Sequence, residues 1–209
     1  SAQAVRPNKM RSLLYKNTFF YNTFLTVTHG GNWSKRFHLM TKLIGKNKKV
    51  LDLGSGTSVL YNYLDLSCTY VGIEANAKFV EGARQKNLNI IEGNLFEVEF
   101  PKADVVVISD ILHHIVPLHK DLIEKALRSA PVLVICEPDH SRGIFNFISN
   151  NRLWFKYFAD NDGINSYEKM VSWKYTEKEL LELLKKYGSV SSELIGNTMI
   201  IKLQSNKTS

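Results

Sequence analysis

The chain has 209 residues, 44% of them apolar and 22% charged, which is enough for one domain with a sizeable core and ordinary for a globular protein. Its formal net charge of +7 comes from 27 basic and 20 acidic side chains spread along the chain without an aromatic-interleaved basic stripe, so nucleic acid is not the favoured partner and a solvated basic face is the simpler account. No apolar run approaches the about 20 residues of a membrane span, and Ser1 to Arg6 lack a signal-peptide pattern, so a cytoplasmic protein with Cys68 and Cys136 reduced is expected.

Residues 9 to 45 are helical in pattern and rich in aromatics, including Phe19, Phe20, Tyr21, Phe24, Trp33 and Phe37, and residues 1–45 are expected to form an N-terminal helical cap. From Lys49 onward, apolar runs alternate with amphipathic stretches, the pattern of a parallel sheet covered on both faces. Strands are expected at Val50 to Leu53, Thr69 to Ile73, Leu88 to Ile91, Val105 to Ile108 and Val132 to Cys136. Helices are expected at Asn76 to Lys86, with Phe79, Val80 and Ala83 on one face, and at Leu118 to Leu127, with Pro117 suited to its first turn. Residues 140 to 174 then carry Phe145, Phe147, Ile148, Leu153, Trp154, Phe155, Tyr157 and Phe158, a content suited to a helical lid over a pocket. Thr176-Glu177-Lys178-Glu179 is a capping-box pattern ahead of an apolar stripe, Leu180, Leu181, Leu183, Leu184 and Tyr187, that ends before Gly188. Ser189 to Ile195 and Thr198 to Leu203, separated by Gly196-Asn197, read as a hairpin. The core domain is thus expected over 46–205, with the lid inserted at about 140–174 and a short tail at 206–209.

The chemistry gathers at the ends of the strands. Val50-Leu51-Asp52-Leu53 runs into Gly54-Ser55-Gly56, and a second apolar run closes on Glu74. A strand, a glycine turn and a helix let backbone approach a nucleotide-like ligand, and an acid about 20 residues on can hold a ribose diol. The dinucleotide pattern needs a third glycine where Val59 stands, so it fails; an acid two residues before the first glycine suits a cationic ligand instead. Asp52 is also out of place in a strand by propensity, which asks for a reason.

These features resemble the class I S-adenosylmethionine-dependent methyltransferases, whose first motif is acid-x-Gly-x-Gly at the end of the first strand. Some members have a third glycine at the position of Ser58, so the turn here is a shortened version. The resemblance spans roughly Lys49 to Leu203 and implies a Rossmann-like α/β fold: a seven-stranded, mostly parallel sheet with helices on both faces and a C-terminal antiparallel hairpin. It implies S-adenosyl-L-methionine as cofactor, held by Asp52 on the ammonium side, by Gly54, Ser55 and Gly56 along the methionine part and ribose, and by Glu74 on the ribose hydroxyls. Asn94 falls where the family often has an acid for the adenine amino group, with Ala75 and Leu95 as further cofactor neighbours. Ser109 falls under the methionine part and His113 toward the acceptor, where an imidazole can take a proton as methylation proceeds. His114 is the weaker choice, since neighbours on a helix point differently. His140, after Glu137-Pro138-Asp139, is a second base candidate, and no compact metal-ligand set is visible. The resemblance implies an enzyme methylating an O or N atom of a small-molecule or lipid-like acceptor. The alternatives are an RNA or protein methyltransferase, from which Ser109-Asp110-Ile111-Leu112 departs by lacking Asn/Asp-Pro-Pro-Tyr, and a non-catalytic cofactor-binding module.

Overall fold

Residues 32–142 and 172–206 are described by the computed structural model. They form seven strands: β1 (Lys49–Leu53), β2 (Thr69–Glu74), β3 (Ile90–Glu92), β4 (Val105–Ser109), β5 (Val132–Pro138), β6 (Gly188–Ile195) and β7 (Thr198–Ser205). Four α-helices accompany them: α1 (Trp33–Ile44), α2 (Ala77–Arg84), α3 (His119–Leu127) and α4 (Glu177–Leu184). The strand order is β3-β2-β1-β4-β5-β7-β6, with β1 to β5 mutually parallel and β7 antiparallel to both its neighbours. This is the seven-stranded sheet and terminal hairpin that the resemblance implies. Among the described residues no helix is long and apolar enough to cross a membrane. Most of the aromatic N-terminal segment and of the expected lid lies outside the described residues, as do Phe145 to Phe158.

The continuous apolar runs of the central strands follow from burial on both faces. On β4, Val105 and Val107 join one core cluster with Phe37, Met40 and Ile44 of α1, while Val106 and Ile108 join the other with Leu122 and Ile123 of α3 and Leu180 and Leu184 of α4. Side chains alternate faces along a strand, so this division assigns a face to every later residue of the strand ends. Asp52 and Ser109 continue the α1 side; Glu137, in step with Leu133 and Ile135, continues the α3 and α4 side.

Element ends differ from the sequence reading in instructive places. The third strand is Ile90–Glu92, shifted from Leu88 to Ile91, because only Ile90, Ile91 and Glu92 find partners on β2. The glycine turn leads into a short 3₁₀ turn, Val59–Tyr63, in place of a full helix. Asn76 is the N-cap of α2, its side chain accepting from Lys78 N–H, so the helix begins after it. Pro117 precedes α3 by two residues and is not in its first turn. The capping box at Thr176 and Glu179 is present in full.

Candidate active site

Strand order reverses between β1 and β4: from β1 the chain continues outward to β2 and β3, and from β4 outward to β5. In open α/β sheets a crevice opens beyond the carboxyl ends at such a point. The turn after β1 forms its first wall. Gly54 and Gly56 both have left-handed backbone, at φ +62° and +53°, where a side chain is strained. Ser58, at the third-glycine position of the resemblance, takes the same conformation at φ 58°, so the turn keeps its shape without that glycine. Ser55 N–H donates to Ile73 O at 3.0 Å and Gly56 N–H to Glu74 Oε2 at 2.8 Å, which brings the expected residues of the first two strands together. The other Glu74 oxygen accepts from Asn76 N–H at 2.7 Å. Glu74 therefore braces the turn through both carboxylate oxygens.

Beneath the turn lies a buried polar cluster. Tyr70, paired in register with Val50, donates its hydroxyl to Asp52 Oδ2 at 2.9 Å. Ser55 and Ser58 hydroxyls lie close to Tyr70 but are buried without a well-formed hydrogen bond among the described residues. Burial pushes the Asp52 carboxyl up to about 7; the Tyr70 hydroxyl opposes the shift and the charge of Glu74 adds to it. A buried acid poised near neutrality, under unsatisfied hydroxyls, is suited to a cationic or hydrogen-bonding ligand group.

The second wall is the turn after β4. Asp110 has left-handed backbone at φ 56°, uncommon for a residue other than glycine. Arg36 of α1 reaches it from one face of the sheet: one guanidinium nitrogen donates to Asp110 Oδ2 and, at 2.8 Å, to Ser109 Oγ. Glu137, fully buried on the other face, accepts from Ile111 N–H at 2.8 Å and Leu112 N–H at 2.7 Å through Oε1, and meets His113 Nδ1 at 2.7 Å through Oε2. Ile111 in turn leans on the first wall, since a Cβ at Gly54 would meet its Cδ1 at 2.3 Å. Burial holds the His113 imidazole down, at about 4; Asp110 opposes this and Arg36 adds to it. Burial raises the Glu137 carboxyl well above the usual range, with Asp110 adding and backbone N–H groups of this turn pulling it back. The backbone donors on Oε1 favour the ionised form, the state in which Nδ1–H donates to Oε2. With Nδ1–H donating to that carboxylate, the imidazole lone pair is on Nε2.

The remaining predicted residues lie around this crevice in different ways. Asn94 is exposed and caps its own turn, accepting from Phe96 N–H at 2.9 Å, while the neighbouring Gly93 N–H donates to Glu74 O. Leu95 is half-buried against the core, and Ala75 is exposed beyond Glu74. His140 donates its backbone N–H to Tyr175 O, and its charge bears on Glu179 at the start of α4. His114 packs its ring 3.8 Å from that of His113. Four residues that sequence reasoning passed over help build the site: Arg36, Tyr70, Glu137 and Trp173. Trp173 is wholly buried, donates Nε1–H to Pro138 O at 3.0 Å and lies edge-on to His113. Glu137 carried a signal, an acid ending a run of apolar strand residues, whereas Arg36 carried none.

Residues 44–188 match a family described as a methyltransferase domain. The chain belongs to this family. It is a class I S-adenosylmethionine-dependent methyltransferase, and the strand order is that of the class. The methyltransferase is also similar in structure to proteins of much lower identity. An S-adenosylmethionine-dependent methyltransferase from Thermotoga maritima superposes with a TM-score of 0.65 at 14% identity, over 91% of this chain and 97% of that one. An O-methyltransferase family protein from Burkholderia thailandensis gives 0.68 at 14% identity, over 98% and 66%. Magnesium protoporphyrin IX methyltransferase from Synechocystis PCC 6803, with bound S-adenosylhomocysteine, gives 0.60 at 12%, over 95% and 90%. At such identities the likeness is one of fold. No curated protein sequence matches the chain. The residues of the methyltransferase's first wall fit its cofactor: open space in front of Gly56, where a Cβ would meet nothing within 4 Å, a buried acid, and hydroxyls awaiting partners.

Proposed function

We propose that this methyltransferase transfers a methyl group to an oxygen or nitrogen atom of a small-molecule or lipid-like acceptor, with His113 as the base. The observation that carries the reading is the 2.7 Å contact between Glu137 and His113 Nδ1 on a turn that packs against Gly54. S-adenosylmethionine, when bound, supplies a methyl group on a positively charged sulfur that a nucleophile displaces in line. The chain's own residues do the rest. Gly54, Ser55 and Gly56 take the methionine part along backbone; Asp52 answers the ammonium group, directly or through water; Glu74 accepts from the ribose hydroxyls; Asn94, with Ala75 and Leu95 beside it, faces the adenine; Ser109 lies under the methionine part. His113 takes at Nε2 the proton that an acceptor O–H or N–H group gives up as its bond to carbon forms, and Glu137 stabilises the imidazolium so produced. His140 stands as the second base candidate. The names of the O-methyltransferase family protein and of the porphyrin methyltransferase among the similar folds support a small-molecule acceptor over RNA or protein.

Two measurements test this. S-adenosylhomocysteine should bind in calorimetry, and Glu74→Ala, which removes both the diol acceptor and the brace on Gly56, should weaken it strongly; absence of heat with the wild type would remove the cofactor assignment. A metabolite screen with labelled methyl donor should then reveal the acceptor, with His113→Ala losing turnover while keeping cofactor affinity. Unchanged turnover in that variant would reduce His113 to packing.

A further inference from the structure

We infer that Arg36, on the helix preceding the matched methyltransferase segment, is a positioning residue for the active site: its ion pair with Asp110 holds the second wall of the crevice in the shape that the first wall requires. The inference rests on the proposed function and adds to it a part contributed from outside residues 44–188.

Arg36 is 2% exposed on a helix whose other buried residues are apolar. Its guanidinium lies 5.0 Å from the ring of Trp33 and 5.4 Å from that of Phe37, so its stem and charge are held in place before any partner is met. A buried charge of this kind is costly unless it is paired, and here the partners are Asp110 and Ser109 at the carboxyl end of β4. Both contacts span more than seventy residues of sequence, 73 to Ser109 and 74 to Asp110.

What the pair holds is a strained backbone. Asp110 is left-handed, and such residues persist where surrounding contacts over-determine them. A second restraint acts on the same residue, Asp110 N–H to Cys136 O at 2.8 Å. The next residues then fall into place: Ile111 lies against Gly54, and Ile111, Leu112 and His113 all bond to Glu137. Arg36 from one face of the sheet and Glu137 from the other grip a single turn. Loosening the Arg36 side lets Asp110 relax toward ordinary backbone angles, which moves Ile111 off the glycine turn and alters the charge around His113.

The experiment compares wild type with Arg36→Met, Arg36→Lys and Asp110→Asn, measuring S-adenosylhomocysteine affinity by calorimetry well below every melting temperature, and the His113 imidazole by ¹⁵N NMR titration. Arg36→Met should weaken the ligand by about tenfold, within the range found for residues that act through others, and should shift the His113 titration; Arg36→Lys should recover part of both. A residue that serves stability alone would lower the melting temperature and leave ligand affinity and the His113 titration as in wild type, and that result overturns the inference. If Arg36→Met does not fold, Asp110→Asn gives the same readouts, since that carboxylate is 29% exposed. Failure of wild type to bind S-adenosylhomocysteine removes the functional reading and this one with it, whereas binding by wild type with equal binding by the variants removes this one alone.

Discussion

Replacing Glu137 by glutamine changes one atom in a wholly buried side chain and should reverse the orientation of the His113 proton. In the wild type Oε1 accepts from Ile111 and Leu112 N–H, at 2.8 and 2.7 Å, and Oε2 faces Nδ1 at 2.7 Å. The amide oxygen keeps the two backbone donors, because an NH₂ group cannot accept from N–H, so the NH₂ group is turned toward Nδ1. A donor there requires Nδ1 to be the bare nitrogen and moves the proton to Nε2, the atom that has to receive one. Three contacts to a charged group become contacts to a neutral one, a loss of roughly 1–3 kcal/mol in stability, partly offset because a buried charge is removed. In a chain of this size each kcal/mol lowers the melting temperature by about 2–4 °C. The effect on turnover is larger, roughly 10²- to 10⁴-fold for loss of a general base. Because burial holds His113 at about 4, the imidazole is neutral throughout the neutral range and its tautomer is well defined there. Histidine-labelled ¹⁵N NMR reads the tautomer without any acceptor being known: Nδ1–H is expected in wild type and Nε2–H in Glu137→Gln. The same tautomer in both proteins would refute the orientation of the pair.

The other predictions concern the first wall. Gly54→Ala and Gly56→Ala carry the same left-handed strain, about 1 kcal/mol, but only the Gly54 methyl group would strike Ile111. Both should weaken S-adenosylhomocysteine in calorimetry, while only Gly54→Ala should disturb the His113 signals; a disturbance by both would place the two walls in a different contact. Asp52, raised from 3.8 to about 7, makes the folded state bind a proton that the unfolded chain has released, so its contribution to stability is full below pH 3.8 and is lost as pH rises through 7, by on the order of 4 kcal/mol. His113, lowered from 6.5 to about 4, has the opposite slope, its contribution lost as pH falls from 6.5 to 4. The stability difference between wild type and Asp52→Asn in urea unfolding should therefore change by about the Asp52 contribution between pH 4 and 7, the wild type losing ground as pH rises; a variant curve parallel to wild type would contradict the raised carboxyl.

The fold was legible because its signals are local. Alternating apolar runs, a capping box at Thr176 and the Gly196-Asn197 turn are each read within a few residues, and the resemblance carried by the glycine turn and Glu74 implied the seven-stranded sheet. The first wall was legible for the same reason: Asp52, Gly54 and Gly56 lie within five residues, and Glu74 ends the next strand. Where local signals misled, a long-range partner decided. β3 is set by register with β2 rather than by the apolar Leu88, and Ser58 does a glycine's work because its neighbours hold it at φ 58°. Arg36 stood in an aromatic helix as one of 27 basic residues, and nothing near it in sequence distinguishes it. Only packing brings it to Asp110.

The two walls are therefore built from different kinds of bond, and this predicts how each responds. The glycine turn is tied through its own backbone donors, Ser55 N–H to Ile73 O and Gly56 N–H to the Glu74 carboxylate, and its two glycines hold left-handed backbone. It is sensitive to added side-chain volume. The β4 turn is held by ionisable side chains from both faces, Arg36 on one and Glu137 on the other, so it answers to charge at a distance from the crevice. Any group that neutralises Asp110 or Glu137 acts on His113 as well, because all four residues share one buried electrostatic environment. The wall proposed to meet the acceptor is thus the one gripped by ionisable side chains from both faces of the sheet, and the wall proposed to meet the cofactor is the one whose shape depends on glycine.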